Sequence, residues 1–255
     1  VWKTIRVGVL LIVLAAVALS AWLDRHVTQS WHDTLWVGLY PLNADGSDSV
    51  QRYLDTLTVQ DFAPIEEFFA REAQRYGVRV EQPVHVELYP QGRELPPALA
   101  ADPGPLAVAW WSLKLRLYAA RAAQVAGRAP PRIRLFVLYH DPQSERAPDS
   151  HGLQKGLVGI VHVFAARAQA GGNNIVIAHE LMHTLGASDE YDLGSGAPLF
   201  PQGFADPEQQ PLYPQQRAEI MAGRRALAAH EFDMPRGLAA VVVGPQTARE
   251  IRWLQ

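Results

Sequence analysis

Apolar positions along the chain switch period several times, and the order of the switches predicts an α/β architecture. Residues 35–40, LWVGLY, read as a first strand that runs into a turn at Asn43-Ala44-Asp45-Gly46. Residues 62–76 place apolar side chains at helical spacing and stop at Gly77. Residues 84–89 alternate as a strand does, and a proline-rich loop follows. A helix is predicted within residues 106–125, with Trp110, Trp111, Leu113, Leu117 and Tyr118 expected in the core. Residues 133–139 and 157–164 predict two more apolar strands. Next comes a largely buried helix built on Ile175, Val176, Ile177, Ala178, Leu181, Met182 and Leu185, with Asn173 and Asn174 as candidate caps and Gly186 as its stop. Residues 194–216 carry five prolines with Phe200, Phe204 and Tyr213, a loop suited either to cover a cleft or to cap the fold rigidly. A last helix is expected over residues 246–254.

The first 30 residues have a different character. Residues 7–23 contain no charge and follow Lys3 and Arg6, the pattern of a signal anchor or a cleaved signal peptide. Ala18-Leu19-Ser20 suits a signal peptidase, whereas the length of the run and Trp22, Trp31 and Trp36 favour an uncleaved membrane anchor with interfacial tryptophans. Either way residues 31–255 are expected outside the cytoplasm, membrane-tethered or secreted, as one domain of roughly 225 residues. The absence of cysteine excludes disulfides, thiol catalysis and cysteine metal ligands. A net charge of −3 without a basic stretch gives no sign of nucleic-acid binding. No feature assigns an oligomeric state.

The chemistry is concentrated in residues 179–189, HELMHTLGASD. His179 and His183 are four apart, so on a helix both imidazoles leave one face and two nitrogens can meet one Zn²⁺ ion. Glu180 lies about 100° further round the axis, outside the ligand pair but close to an open coordination position, as a general base for a bound water must be. Gly186 ends the helix and turns the chain so that Asp189 can become the third protein ligand. Two nitrogens, one carboxylate and a water form an open, catalytic zinc site rather than a closed, structural one. Glu190 and Asp192 crowd the same turn as alternative carboxylates, and a more distant ligand would have to be Glu208 or Glu219.

HELMHTLGASD resembles the metzincin signature HExxHxxGxx(H/D) in its aspartate form, similar to that of small snapalysin-type peptidases. The resemblance implies His179, His183 and Asp189 as zinc ligands and Glu180 as the base of a metalloendopeptidase. It also implies a methionine turn beneath the metal, for which AEIMAG offers Met221, with Gly223 where some members carry tyrosine. The implied fold is a zincin-like domain, a mixed twisted sheet with backing helices and an active-site helix, and the implied partner is a peptide or protein substrate held extended along an edge strand. Residues 158–164, or the segment just before them, are the candidate edge. His162, His140 and His151 read as packed, exposed or turn residues, Tyr191 as a packed aromatic or a phenol donor, and Asp141, Glu145 and Asp149 as solvated loop carboxylates without calcium spacing. The alternative from another class is a membrane-tethered, non-catalytic zinc-containing assembly module with its cleft blocked by the proline-rich loop.

Overall fold

The computed structural model describes residues 28–99, 104–125, 130–143, 151–153 and 157–254, together with residues 2 and 6. The apolar run at residues 7–23 lies outside them, as do Trp22, Glu145 and Asp149. Among the described residues no helix is long and apolar enough to cross a membrane.

One five-stranded sheet organises the domain. In chain order the elements are β1 (Leu35–Asn43), α1 (Asp48–Leu54), α2 (Ala63–Arg75), β2 (Val84–Leu88), α3 (Pro105–Val125), β3 (Ile133–His140), β4 (His151–Leu153), β5 (Val158–Phe164) and α4 (Ala170–Leu185). The strand order is β2-β1-β3-β5-β4. The first four of these strands are parallel, and β4 runs antiparallel to β5 at the edge. Both faces are covered, which is why β1 and β3 read as almost unbroken apolar runs. On one face Leu35, Val37, Leu39, Ile133, Leu135 and Val137 pack with Ile65, Phe68 and Phe69 of α2 and with Ala178, Leu181 and Met182 of α4. On the other, Tyr40, Leu42, Phe136, Leu138 and Ile160 pack with Trp111, Leu115 and Ala119 of α3. Each such fully buried large side chain contributes about 1.5–3 kcal/mol of transfer free energy.

Below the sheet lies a smaller layer. It comprises β6 (Ala218–Glu219) paired with β9 (Val241–Val242), the β7 (Arg225–Ala228) and β8 (Glu231–Asp233) hairpin, and α5 (Pro245–Glu250). Buried Glu72 ties the layers together, accepting from Val243 N at 3.0 Å and pairing with Arg71 and Arg75. The segment before β1 clasps the same joint: Trp31 donates to Ile251 O at 2.7 Å and packs edge-on against Trp253. Gln29 donates to Leu185 O at the end of α4 and to Glu250 O.

Several sequence expectations are corrected here. Trp31, expected at a membrane interface, is buried in this joint, whereas Trp36 is half exposed. Trp110, Leu113 and Leu117, expected in the core, are exposed: α3 meets the sheet through Trp111, Leu115 and Ala119, and a helix with apolar side chains on two opposite faces gives periodicity no single face to choose. Asn173 and Asn174 do not cap α4, which begins at Ala170; they lie buried in its first turns. Of the two candidate edges, the segment before β5 holds the position as β4, which covers residues 158–160 of β5. The short helix α1 was not expected, and the last helix ends at Glu250.

Candidate metal centre

Helix α4 carries the site, and the local sequence explains its bounds. Its apolar side chains bury it between the sheet and the lower layer, and Gly186 at φ 104° ends it in the left-handed conformation that costs glycine least. The reversed chain then sends Ala187 N to Met182 O and brings Asp189 back towards the helix. At the other end Asn173 fastens α4 to β5: its amide accepts from Phe164 N at 3.3 Å and donates to Phe164 O at 2.8 Å. Asn174 donates to Asp61 O at 2.9 Å.

His179, Glu180 and His183 offer ligand atoms that all lie within 4.8 Å of one another, a cluster able to coordinate a metal ion. Asp189 closes the arrangement, with Oδ1 3.1 Å from Nε2 of His179 and 3.1 Å from Nε2 of His183. For ligands about 2.0–2.1 Å from a tetrahedral zinc, the ligand-to-ligand distance is about 3.3 Å, so each histidine nitrogen sits close to that spacing from the Asp189 oxygen. The tautomers agree. His179 Nδ1 faces Ile220 O at 3.0 Å and His183 Nδ1 faces Ala187 O at 2.9 Å. A carbonyl oxygen only accepts, so each Nδ1 carries the proton and each neutral imidazole points its Nε2 lone pair at the Asp189 oxygen. Three acceptors then converge on one point that calls for positive charge. With no cation bound, a proton on Nε2 meets the same demand. Burial would lower the His183 imidazole, but Asp189 and Glu180 outweigh it and raise its pKa. Burial would raise the Asp189 carboxyl, but the two imidazoles hold it well below the carboxylate range.

Two of the other candidates are committed elsewhere. Asp192 accepts from Ser195 N and Oγ at 2.8 and 2.7 Å within its own turn. Glu219 is fully buried, and its carboxyl accepts from Met221 N, Ala222 N, Gly244 N and Thr247 Oγ1. Burial pushes its pKa up against those four donors. Its role is to hold the turn at Ile220 and Met221, whose Ile220 carbonyl orients His179. Met221 is buried, and Met221 O accepts from Glu190 N, so this turn lies directly beside the helix and its returning chain. Glu190 is buried, and its pKa is pushed up to about 7 by burial and then by Glu219, Glu250 and Asp189. Nothing in the sequence singled out Glu219 as an anchor, because lone glutamates carry no spacing signal.

An open cleft of about 1210 Å³ runs past the cluster, lined among others by His162, Asn173, Val176, Tyr191, Arg224 and Arg236. The Tyr191 ring lies 6.3 Å from that of His179. Of the proline-rich loop only Gly194, Ser195 and Gly196 line the cleft; further on it is braced from within, with Gln215 bridging both backbone groups of Asp206 and Gln209 holding the carbonyls of Pro211 and Pro214. Sequence reasoning missed a second histidine pair. His140 and His162 stack with Nε2 to Nδ1 at 2.8 Å, and His140 Nδ1 donates to Asp45 at 2.9 Å. The partners come from the turn after β1, the end of β3 and the second half of β5, far apart in sequence, which no local motif reveals. Asp141 accepts from Ser49 and from Gln143 N.

No protein-family model matches the chain, and neither does any curated protein.

Proposed function

We propose that the chain is a zinc-dependent endopeptidase of the metzincin kind, with His179, His183 and Asp189 as zinc ligands, Glu180 as general base and Met221 in the turn beneath the metal. The observation that carries this reading is the convergence of two Nδ1-anchored imidazoles on one carboxylate oxygen, 3.1 Å from each, with a buried glutamate beside them. Zinc, when bound, supplies Lewis-acid polarisation of a peptide carbonyl and a water of lowered pKa.

The protein's own groups do the rest. The carbonyls of Ile220 and Ala187 fix both rings and raise their basicity. The Glu180 carboxylate takes a proton from the attacking water and returns it to the leaving amine, with no covalent acyl intermediate. The open cleft is lined by His162, Val163 and Phe164 of β5, past the stretch that β4 covers, and accepts an extended peptide along this edge of the sheet, where main-chain pairing supplies affinity. The proline-rich loop leaves this cleft open, which favours the enzyme over the non-catalytic zinc module. Within residues 1–30 the apolar run at 7–23 is the anchor or signal segment, with Gln29 already clasping the domain, and residues 31–255 work outside the cytoplasm as the catalytic domain.

Elemental analysis combined with a mixed-peptide cleavage assay tests the assignment. Wild type should hold one zinc per chain and cleave, Glu180→Ala should keep zinc and lose turnover, and His183→Ala should lose the metal. Stoichiometric zinc in His183→Ala overturns the ligand set, and an undiminished rate in Glu180→Ala overturns the base.

A further inference from the structure

Helix α3 has two apolar faces, and the sheet uses only one. Trp111, Leu115 and Ala119 are buried against β3 and β5. On the opposite side Leu106, Trp110, Leu113 and Leu117 are 87, 60, 47 and 52% exposed. Their spacing of four, three and four residues keeps them in one stripe within about 60° of the helix circumference, over a length of about 16 Å. Isolated exposed apolar residues are ordinary, but a contiguous stripe on one helix marks a docking surface.

Charge decides the occupant. Residues 105–125 contain Lys114, Arg116 and Arg121 and no acidic residue. Lys114 and Arg121 border the stripe at about 40° and 20° from Trp110 round the axis. A second copy packed on the stripe would bring these cations against their own images with no carboxylate from the helix to offset them. An anionic lipid surface offers what both kinds of residue need: acyl chains for the leucines, the boundary layer for tryptophan and phosphate for the long basic side chains. The helix falls short of a membrane span, so it would lie on the surface rather than cross it.

We propose that the outer face of α3 is a membrane-surface contact that seats the domain on anionic lipid, independently of the metal centre. The absence of cysteine permits a site-specific test on the full chain. Leu113→Cys, carrying an environment-sensitive fluorophore, is mixed with phosphatidylcholine vesicles with or without phosphatidylglycerol. The same probe on Glu67→Cys, at an exposed position of α2, is the control. The expected result is a blue shift and quenching by a lipid-borne quencher at position 113 with anionic vesicles, absent at position 67. Adding Lys114→Glu and Arg121→Glu should raise the lipid concentration at half-response at least about tenfold, since each basic residue near the surface contributes about 1 kcal/mol. An equal response with and without phosphatidylglycerol overturns the proposal. So does no response at position 113, or a shift that grows with protein concentration without lipid, which would assign the face to a second copy.

Discussion

Replacing Asn173 with alanine probes the joint that sets α4 against the sheet. The side chain is buried and, beside a contact with Tyr53, makes two bonds to Phe164, 3.3 Å from its N and 2.8 Å to its O. A typical intramolecular hydrogen bond is worth about 0.5–1.5 kcal/mol net; the longer bond belongs at the low end and the shorter at the high end, so the pair contributes about 2 kcal/mol. Phe164 is half-buried, so water can replace part of what its backbone loses. Alanine also returns up to about 0.7 kcal/mol of helix propensity. The net loss should be about 1–1.5 kcal/mol. In urea unfolding followed by circular dichroism, a slope of about 2–3 kcal/mol/M converts this into a midpoint lower by roughly 0.5 M. A midpoint within about 0.1 M of wild type at unchanged slope would show that the amide does not fasten α4 to β5.

Two further substitutions test other supports. Gly186→Ala forces a side chain into the left-handed region at φ 104°, costing about 1–2 kcal/mol; because the same turn holds Ala187 O on His183, metal affinity measured by chelator competition should fall with stability. Asp61 is buried enough to raise its carboxyl, but Thr58 and Arg167 outweigh this and depress its pKa. A depressed group stabilises the fold above its unfolded pKa of about 3.9 and loses that contribution as pH falls through the folded value. Asp61→Asn should therefore be about 1 kcal/mol less stable than wild type at neutral pH, and the gap should close in acid; a gap unchanged at low pH would show that the carboxylate charge plays no part.

The legible parts of this chain are those where one local pattern meets one physical demand. The strands β1, β3 and β5 are covered on both faces, so their apolar runs gave them away, and HELMH on a buried helix ended by Gly186 announced its ligand face through the helical repeat alone. What could not be read depends on contacts between distant segments. The outward stripe of α3 and its buried face are equally apolar, so only the sheet decides between them. Trp31 resembles an interfacial residue until Trp253 and Ile251, more than 200 positions away, provide its partners. Asn173 and Asn174 look like caps because asparagine usually bonds backbone locally, yet here they reach Phe164 and Asp61. Glu219 has no motif at all, and its meaning comes from four donors drawn from two segments.

A metal centre and a structural histidine pair can be separated by the sign of their response to solution conditions. Two imidazole nitrogens, each 3.1 Å from the same Asp189 oxygen, need positive charge between them, and either a cation or protons can supply it. In the metal-free chain the His183 pKa is raised above its ordinary value, so the stability it contributes is fully present below the unfolded pKa of about 6.5 and lost as pH rises through the folded value. A purely structural pair would therefore gain stability on acidification and ignore chelators. A metal centre behaves oppositely: protons compete for both Nε2 atoms, so zinc should be held above neutrality and released in acid. At a thousandfold excess of free zinc over its dissociation constant, binding adds about 4 kcal/mol to stability. Thermal unfolding at pH 8, with zinc and then with chelator, should show that difference as a fall in Tm, and the fall should vanish at pH 5. A Tm at pH 8 indifferent to chelator would leave protons as the only source of the charge that His179, His183 and Asp189 are arranged to receive.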